Sequence, residues 1–259
     1  MFDLTGKVAL VTGGNSGLGF AFAEGIAKAG GDIVIWGRNA ERNAEAAAAL
    51  REHGGRVIAR SVDVASRDAV VAGIADAVEE MGRLDTVIAN AGASHSRDSS
   101  LDITPEDYHA LLATNLHGAF YTLQEGARHM VERSAAGDPG GSLIICGSLS
   151  VFRGVPGMPH YGAAKGALAS IMASMAVEFG KHGIRVNMIA PGYIRTNIGA
   201  SRDDPKRQAL DKHFVEVTPM ARIGKPADFE GIAVYLASDL SSFHTGDIIV
   251  IDGGIMVKM

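Results

Sequence analysis

The sequence predicts an α/β protein, a Rossmann-like, doubly wound parallel sheet in a single domain. Two observations carry that expectation, and a third strengthens it. Short, near-continuous apolar runs recur along the chain, as strands buried on both faces of a parallel sheet require. Stretches of helical spacing separate them, which is the alternation of a doubly wound fold. A glycine-rich turn directly follows the first run.

Bulk properties agree. A chain of 259 residues lies within the range of single α/β domains. With 47% hydrophobic and 20% charged residues it can build a large core. A net charge of −5 offers no overall field to draw nucleic acid or an anionic membrane. No apolar run approaches the ~20 residues that span a bilayer. The opening Met1–Lys7 lacks a signal-peptide pattern, so a cytoplasmic protein is expected. Cys146 is the single cysteine and sits in an apolar run, which marks it as a core residue rather than a nucleophile. One domain over residues 1–259 is the simplest organisation.

The first run, Val8–Val11, leads into Thr12-Gly13-Gly14-Asn15-Ser16-Gly17-Leu18-Gly19, and a helix over about 18–30 starts inside that segment. Gly13, Gly17 and Gly19 have the spacing G-x-x-x-G-x-G. Such a strand-to-helix turn lets backbone amides approach a pyrophosphate, so dinucleotide binding is expected. The second strand, Ile33–Trp36, ends at Gly37-Arg38. An acid there would repel a 2′-phosphate, whereas Arg38 would accept one and favours NADP(H) over NAD(H). The alternative is that Arg38 is a solvated helix-start residue. A helix over 40–53 and a strand at Val57–Ala59 follow. Beyond that strand, Asp63 is placed to accept from an adenine amino group while Val64 covers the ring; an N-cap is the alternative for Asp63.

After a helix over 67–82, the strand Leu84–Ala89 ends in Asn90-Ala91-Gly92, small enough to let a cofactor pass and able to brace neighbouring strands. A long helix over 105–133 carries Asn115, a polar group that mid-helix burial would leave costly unless used. The strand Leu143–Cys146 precedes Ser148. A helix over 160–182 opens on Tyr161-Gly162-Ala163-Ala164-Lys165. Positions i and i+4 share a helix face, so Tyr161 and Lys165 point at one site. Free tyrosine, with a pKa of ~10, is a poor base at neutral pH, and a neighbouring ammonium favours its phenolate. The strand Ile184–Ile189 runs into Ala190-Pro191-Gly192-Tyr193-Ile194-Arg195-Thr196. An irregular stretch over about 193–225, including Arg202-Asp203-Asp204-Pro205-Lys206, would project from the sheet's carboxyl edge as a lid. A helix over 226–238 and the strand Ile248–Ile251 complete the pattern.

Together these motifs resemble the short-chain dehydrogenase/reductase family. The resemblance runs from Gly6-Lys7-Val8-Ala9-Leu10-Val11-Thr12-Gly13 to Val250-Ile251-Asp252-Gly253-Gly254. It implies a seven-stranded sheet in the order 3-2-1-4-5-6-7. It also implies an oxidoreductase that interconverts a secondary alcohol and a ketone, with hydride passing on the pro-S face of the nicotinamide. Tyr161 would be the acid/base, Ser148 would hold the substrate oxygen, and Lys165 would bind the ribose hydroxyls. The Asn115 backbone would hold a relay water. The implied cofactor set is Gly13, Asn15, Ser16, Gly17, Leu18, Gly19, Arg38, Asp63, Val64, Asn90, Ala91, Gly92, Tyr161, Lys165, Pro191, Gly192, Ile194 and Thr196. A homotetramer is implied as well. The segment Arg133–Gly141 is longer than usual in the family and would be a surface loop.

His95, His117 and His160 lie near the expected site in sequence, but none has a partner at metal-ligand spacing, so no catalytic metal is expected. His95 and His160 are candidates to touch substrate. The substrate is bounded only as a small or medium alcohol or ketone: a sugar acid, a 3-oxoacyl thioester or a cyclic ketone. A non-catalytic dinucleotide sensor on the same fold is the competing class. Such a protein would need none of Asn115, Ser148, Tyr161 and Lys165.

Overall fold

A computed structural model of the chain describes residues 2–196 and 205–258. In chain order its main elements are β1 (Val8–Thr12), α1 (Gly17–Lys28), β2 (Asp32–Gly37), α2 (Ala40–Arg51), β3 (Val57–Ser61), α3 (Arg67–Met81), β4 (Thr86–Ala89), α4 (Pro105–Leu112), α5 (Ala119–Ala135), β5 (Gly141–Cys146), α6 (Pro159–Phe179), β6 (Ile184–Pro191), α7 (Pro205–Val217), α8 (Glu230–Ala237) and β7 (Ile248–Ile251). The strands form one parallel sheet in the order β3-β2-β1-β4-β5-β6-β7.

The strands read as continuous apolar runs because alternate residues feed two different cores. Val8, Leu10, Val34, Trp36, Val87, Leu143 and Val186 face α3, α5 and α6. Ala9, Val11, Ile33, Ile35, Ile88, Ile144 and Ile189 face α1, α2 and α8. Local signals set the helix ends. Asn39 caps α2 by accepting from the Arg42 N–H at 2.8 Å, and Ser66 caps α3 from Ala69. Gly82, at φ +84°, lets the chain leave α3 in the left-handed region. The order of connection reverses at β1, which lies between β2 and β4. In such sheets ligands bind outside the carboxyl ends at that point.

Four features differ from expectation. The helix expected over 105–133 is interrupted by a π-helical segment, Ala113–Gly118, between α4 and α5. Apolar periodicity does not report such a local widening. The stretch expected to be irregular over about 193–225 contains a helix, α7; Arg202, Asp203 and Asp204 lie outside the described residues. Asp32 belongs to β2 rather than preceding it, and its carboxylate accepts from the backbone and side chain of Arg56 at 2.8 and 2.7 Å. Arg133 is helical rather than part of a loop. Its guanidinium donates to the Leu84 carbonyl and to Asp138, and those partners let α5 continue to Ala135.

Candidate active site

The glycine-rich turn forms a cradle at the carboxyl end of β1. Gly13 (φ +64°) and Gly17 (φ +56°) adopt the left-handed backbone that favours glycine. A Cβ on Gly19 would overlap the Gly13 carbonyl, so the helix starts tight against the turn. Ser16 is the N-cap of α1 but gives no side-chain cap. The amides of that first turn, around Leu18, therefore stay open to an anion.

Beside this cradle, Arg38 is exposed and its guanidinium has no partner among the described residues. Asn15 does have one: its Nδ2 donates to Asn43 Oδ1 at 2.7 Å. Asn43 is 3% exposed, and its own Nδ2 donates to the carbonyls of Gly37 at 2.8 Å and Arg60 at 3.0 Å. Asp63 does not cap α3; its carboxylate accepts from the Ala65 N–H in a short turn. Val64 is buried against Gly118. Asn90 braces β4 to β1 as expected, its Nδ2 donating to the Thr12 carbonyl at 2.9 Å. The Thr12 hydroxyl accepts from the N–H groups of Asn90 and Ala91 at 3.0 and 2.9 Å, which sets the path into Gly92.

The four expected catalytic residues reach the same edge by different routes. Tyr161 lies in the first turn of α6, and Lys165 is one turn further along. Lys165 is 5% exposed, and its ammonium donates to the Cys146 carbonyl at the end of β5 at 2.7 Å. It stands 5.8 Å from the centre of the Tyr161 ring. Ser148, two residues beyond β5, caps a short turn by accepting from Ser150 N at 3.1 Å. Asn115 is buried in the π-helical segment. It accepts from Ala93 N and donates to Ala93 O, both at 2.8 Å, so both ends of the mid-helix amide are engaged by the chain leaving β4. Burial pushes the Cys146 thiol up despite the nearby Lys165 charge, which fits a core residue.

The last wall follows β6. A Cβ on Gly192, which follows Pro191, would stand 2.7 Å from the Asp252 Cβ. Ile194 bridges to Gly224 in parallel register. The Thr196 carbonyl accepts from Arg207 of α7 at 2.7 Å. Tyr193 stacks on Phe214 of α7 at 4.1 Å and donates its hydroxyl to Asp211 at 2.9 Å. Burial and that carboxylate push the Tyr193 phenol up to about 12. Arg195 donates to the same Asp211 at 2.6 Å. His95 and His117 are exposed. His160 is buried, lines a mostly apolar groove with Ile103, Tyr108 and His109, and leaves Nδ1 unpartnered. Among the described residues no group of three His, Cys, Asp or Glu is arranged to hold a metal.

A family profile described as enoyl-(acyl carrier protein) reductase matches residues 13–256. A gluconate 5-dehydrogenase of Gluconobacter oxydans is 34% identical over 263 aligned positions, covering 100% of this chain and 98% of that protein. A sorbose reductase of Schizosaccharomyces pombe is 39% identical, covering 98% and 97%. The crystal structure of a gluconate 5-dehydrogenase from Burkholderia cenocepacia, in complex with NADP and tartrate, superposes with a TM-score of 0.91 at 34% identity, covering 100% and 98%. The chain belongs to the short-chain dehydrogenase/reductase family.

Short-chain dehydrogenases/reductases are oxidoreductases that bind nicotinamide dinucleotides, and the residues present fit that group. The uncapped helix start can take a pyrophosphate, and no side chain stands at Gly19 to fill the cradle. Two polar residues of this short-chain dehydrogenase/reductase have bracing roles that its motifs do not announce. Thr12 looks like an ordinary strand end. Asn43 did carry a signal, since it lies on the buried stripe of α2 with Ala46, Ala47 and Leu50. A polar residue on such a stripe calls for partners.

Proposed function

We propose that this short-chain dehydrogenase/reductase transfers hydride between NADP(H), rather than NAD(H), and a secondary alcohol or ketone of a sugar acid. One observation carries the catalytic part. Lys165 is buried at the carboxyl edge of the sheet, pinned to the Cys146 carbonyl, with its charge beside Tyr161. Burying an ammonium is costly, and a proton-transfer role accounts for holding it there.

In this reading Tyr161 gives its phenolic proton to the substrate oxygen during reduction and takes one back during oxidation. The Lys165 charge stands where negative charge develops as that proton leaves. Ser148 donates a hydrogen bond to the same oxygen and orients it. Asn115 holds the loop after β4 through Ala93. When bound, the dinucleotide supplies or accepts the hydride. Its cradle would be the Gly13–Gly19 loop with Asn90, Ala91 and Gly92. Asp63 and Val64 would meet the adenine end, and Pro191, Gly192, Ile194 and Thr196 the nicotinamide end.

The free guanidinium of Arg38 supports the NADP(H) preference, because a planar donor fork matches a phosphate. A neighbouring structure that contains NADP agrees. The sugar-acid reading draws on the relatives named gluconate 5-dehydrogenase. We further propose a cytoplasmic homotetramer in which α7, with Tyr193–Thr196 packed against it, covers the substrate. Absorbance of the reduced cofactor, followed with gluconate, its keto acids, sorbose, a 3-oxoacyl thioester and a cyclic ketone, tests the substrate class. Turnover should be highest with the sugar acids and with NADP(H). Preference for the thioester or the cyclic ketone would overturn the class, and preference for NAD(H) would overturn the cofactor reading.

A further inference from the structure

Position 37 is glycine because of its surroundings, not its backbone. Gly37 is absent from the glycines with positive φ, so any residue could adopt its conformation. What stands in the way is an amide pair. A Cβ at Gly37 would overlap Asn15 Nδ2 and stand 2.5 Å from Asn43 Oδ1 and 2.8 Å from Asn15 Cγ. A surface amide could swing aside, but Asn15 is held by Asn43. Asn43 in turn cannot turn over. Its Nδ2 serves two carbonyls at the ends of β2 and β3, and a reversed amide would set its oxygen against both. The carbonyl it grips on β2 is that of Gly37 itself.

We propose that Asn43 is a positioning residue for cofactor choice, acting through Asn15. This inference rests on the dinucleotide reading above. The two amides occupy the volume that an acid at the end of β2 would need in order to bind a ribose 2′-hydroxyl. Their network keeps position 37 bare and leaves Arg38 as the side chain that meets a 2′-phosphate. It also fixes the rotamer of Asn15, whose Oδ1 has no partner among the described residues and is available to the bound ribose. Cofactor choice in this chain is therefore a property of Asn15, Gly37 and Asn43 together, not of position 37 alone.

Dissociation constants for NADPH and NADH, measured by calorimetry on the purified protein, test this without relying on turnover. Gly37→Asp alone should weaken both cofactors by ~10-fold or more, the loss of about one charge-assisted contact. The same substitution with Asn15→Ser and Asn43→Ala should weaken NADPH further and improve NADH. Asn15→Ala and Asn43→Leu should not add: once Asn15 is shortened, losing Asn43 should cost the cofactor little more. The effect of Asn43→Leu should appear in the cofactor KM rather than in kcat. If Gly37→Asp does not fold, as judged by thermal unfolding, the Asn15–Asn43 cycle decides alone. A Gly37→Asp protein that prefers NADH with undiminished affinity would overturn the proposal, as would full additivity in the cycle. A wild-type protein that binds neither dinucleotide would instead overturn the functional reading itself, and this inference with it.

Discussion

Tyr161 and Lys165 show how little the chemistry asks of the chain locally: one helical turn separates them, and burial of the ammonium does the rest. Tyr161→Phe removes only the titrating hydroxyl, so kcat should fall by ~10²–10⁴-fold, the usual worth of general acid–base catalysis. The dissociation constant of the cofactor should stay nearly unchanged, and more than about a tenth of wild-type activity would contradict the role. A second residue makes stability depend on pH. His129 on α5 accepts from the Leu84 N–H at 3.1 Å through Nε2, which requires the neutral ring. Burial, helped by the Arg133 charge, holds its pKa below the ordinary 6.5. A depressed folded value means that this contribution is present above 6.5 and is lost as pH falls through the folded value. The melting temperature should therefore drop as pH is lowered from 6.5, and His129→Gln should flatten that limb. An unchanged acid limb in the variant would refute the assignment.

At the scale of elements, the π-helical segment and α7 matter most. The segment Ala113–Gly118 turns Asn115 so that both polar ends of its amide meet Ala93. Insertions of this kind are frequent at functional sites. Asn115→Leu would leave the Ala93 N–H and carbonyl unpaired, at a cost of ~1–3 kcal/mol. That should lower the melting temperature by several degrees and reduce kcat as the loop after β4 relaxes. A variant as stable and as active as wild type would show that the amide is dispensable. The helix α7 is tied to the chain after β6 by polar and stacking contacts: Asp211 to Tyr193 and Arg195, and Phe214 on Tyr193. Such contacts form and break more readily than a packed core, which suits a cover. Hydrogen exchange across 205–217 should slow when NADP and substrate are both present. Equal exchange with and without them would exclude a lid.

The whole molecule leaves apolar surface that a second copy would cover. β7 is an edge strand of four apolar residues, none of them fully buried. Phe243, next to it, is entirely exposed. The outward face of α6 carries Ala163, Ser170, Ala173, Ser174 and Val177, small enough for close helix packing, with Glu178 exposed at its far end. Edges and faces like these are normally covered or charged. Light scattering at micromolar concentration should therefore report four chains, and a charge at Val177 or Val250 should dissociate the assembly into dimers. A monomeric wild type would refute the tetramer. No helix among the described residues is long and apolar enough to cross a membrane.

The strands were legible in the chain because the central ones are buried on both faces, and an apolar run records that directly, whereas their order came from the resemblance to the family and not from the runs. The glycine loop and the Tyr161–Lys165 spacing were legible for a similar reason: backbone freedom and helical period are local properties. Asn43 was not legible as a partner of Asn15, since the two lie 28 positions apart and meet only when β1 and β2 pair. The bidentate use of Asn115 also needed the chain beyond β4 to arrive beside it. Local sequence determined which elements form and which faces they bury. Only the tertiary structure decided which polar groups end up sharing a hydrogen bond, because a buried donor takes whichever acceptor the packing brings within reach.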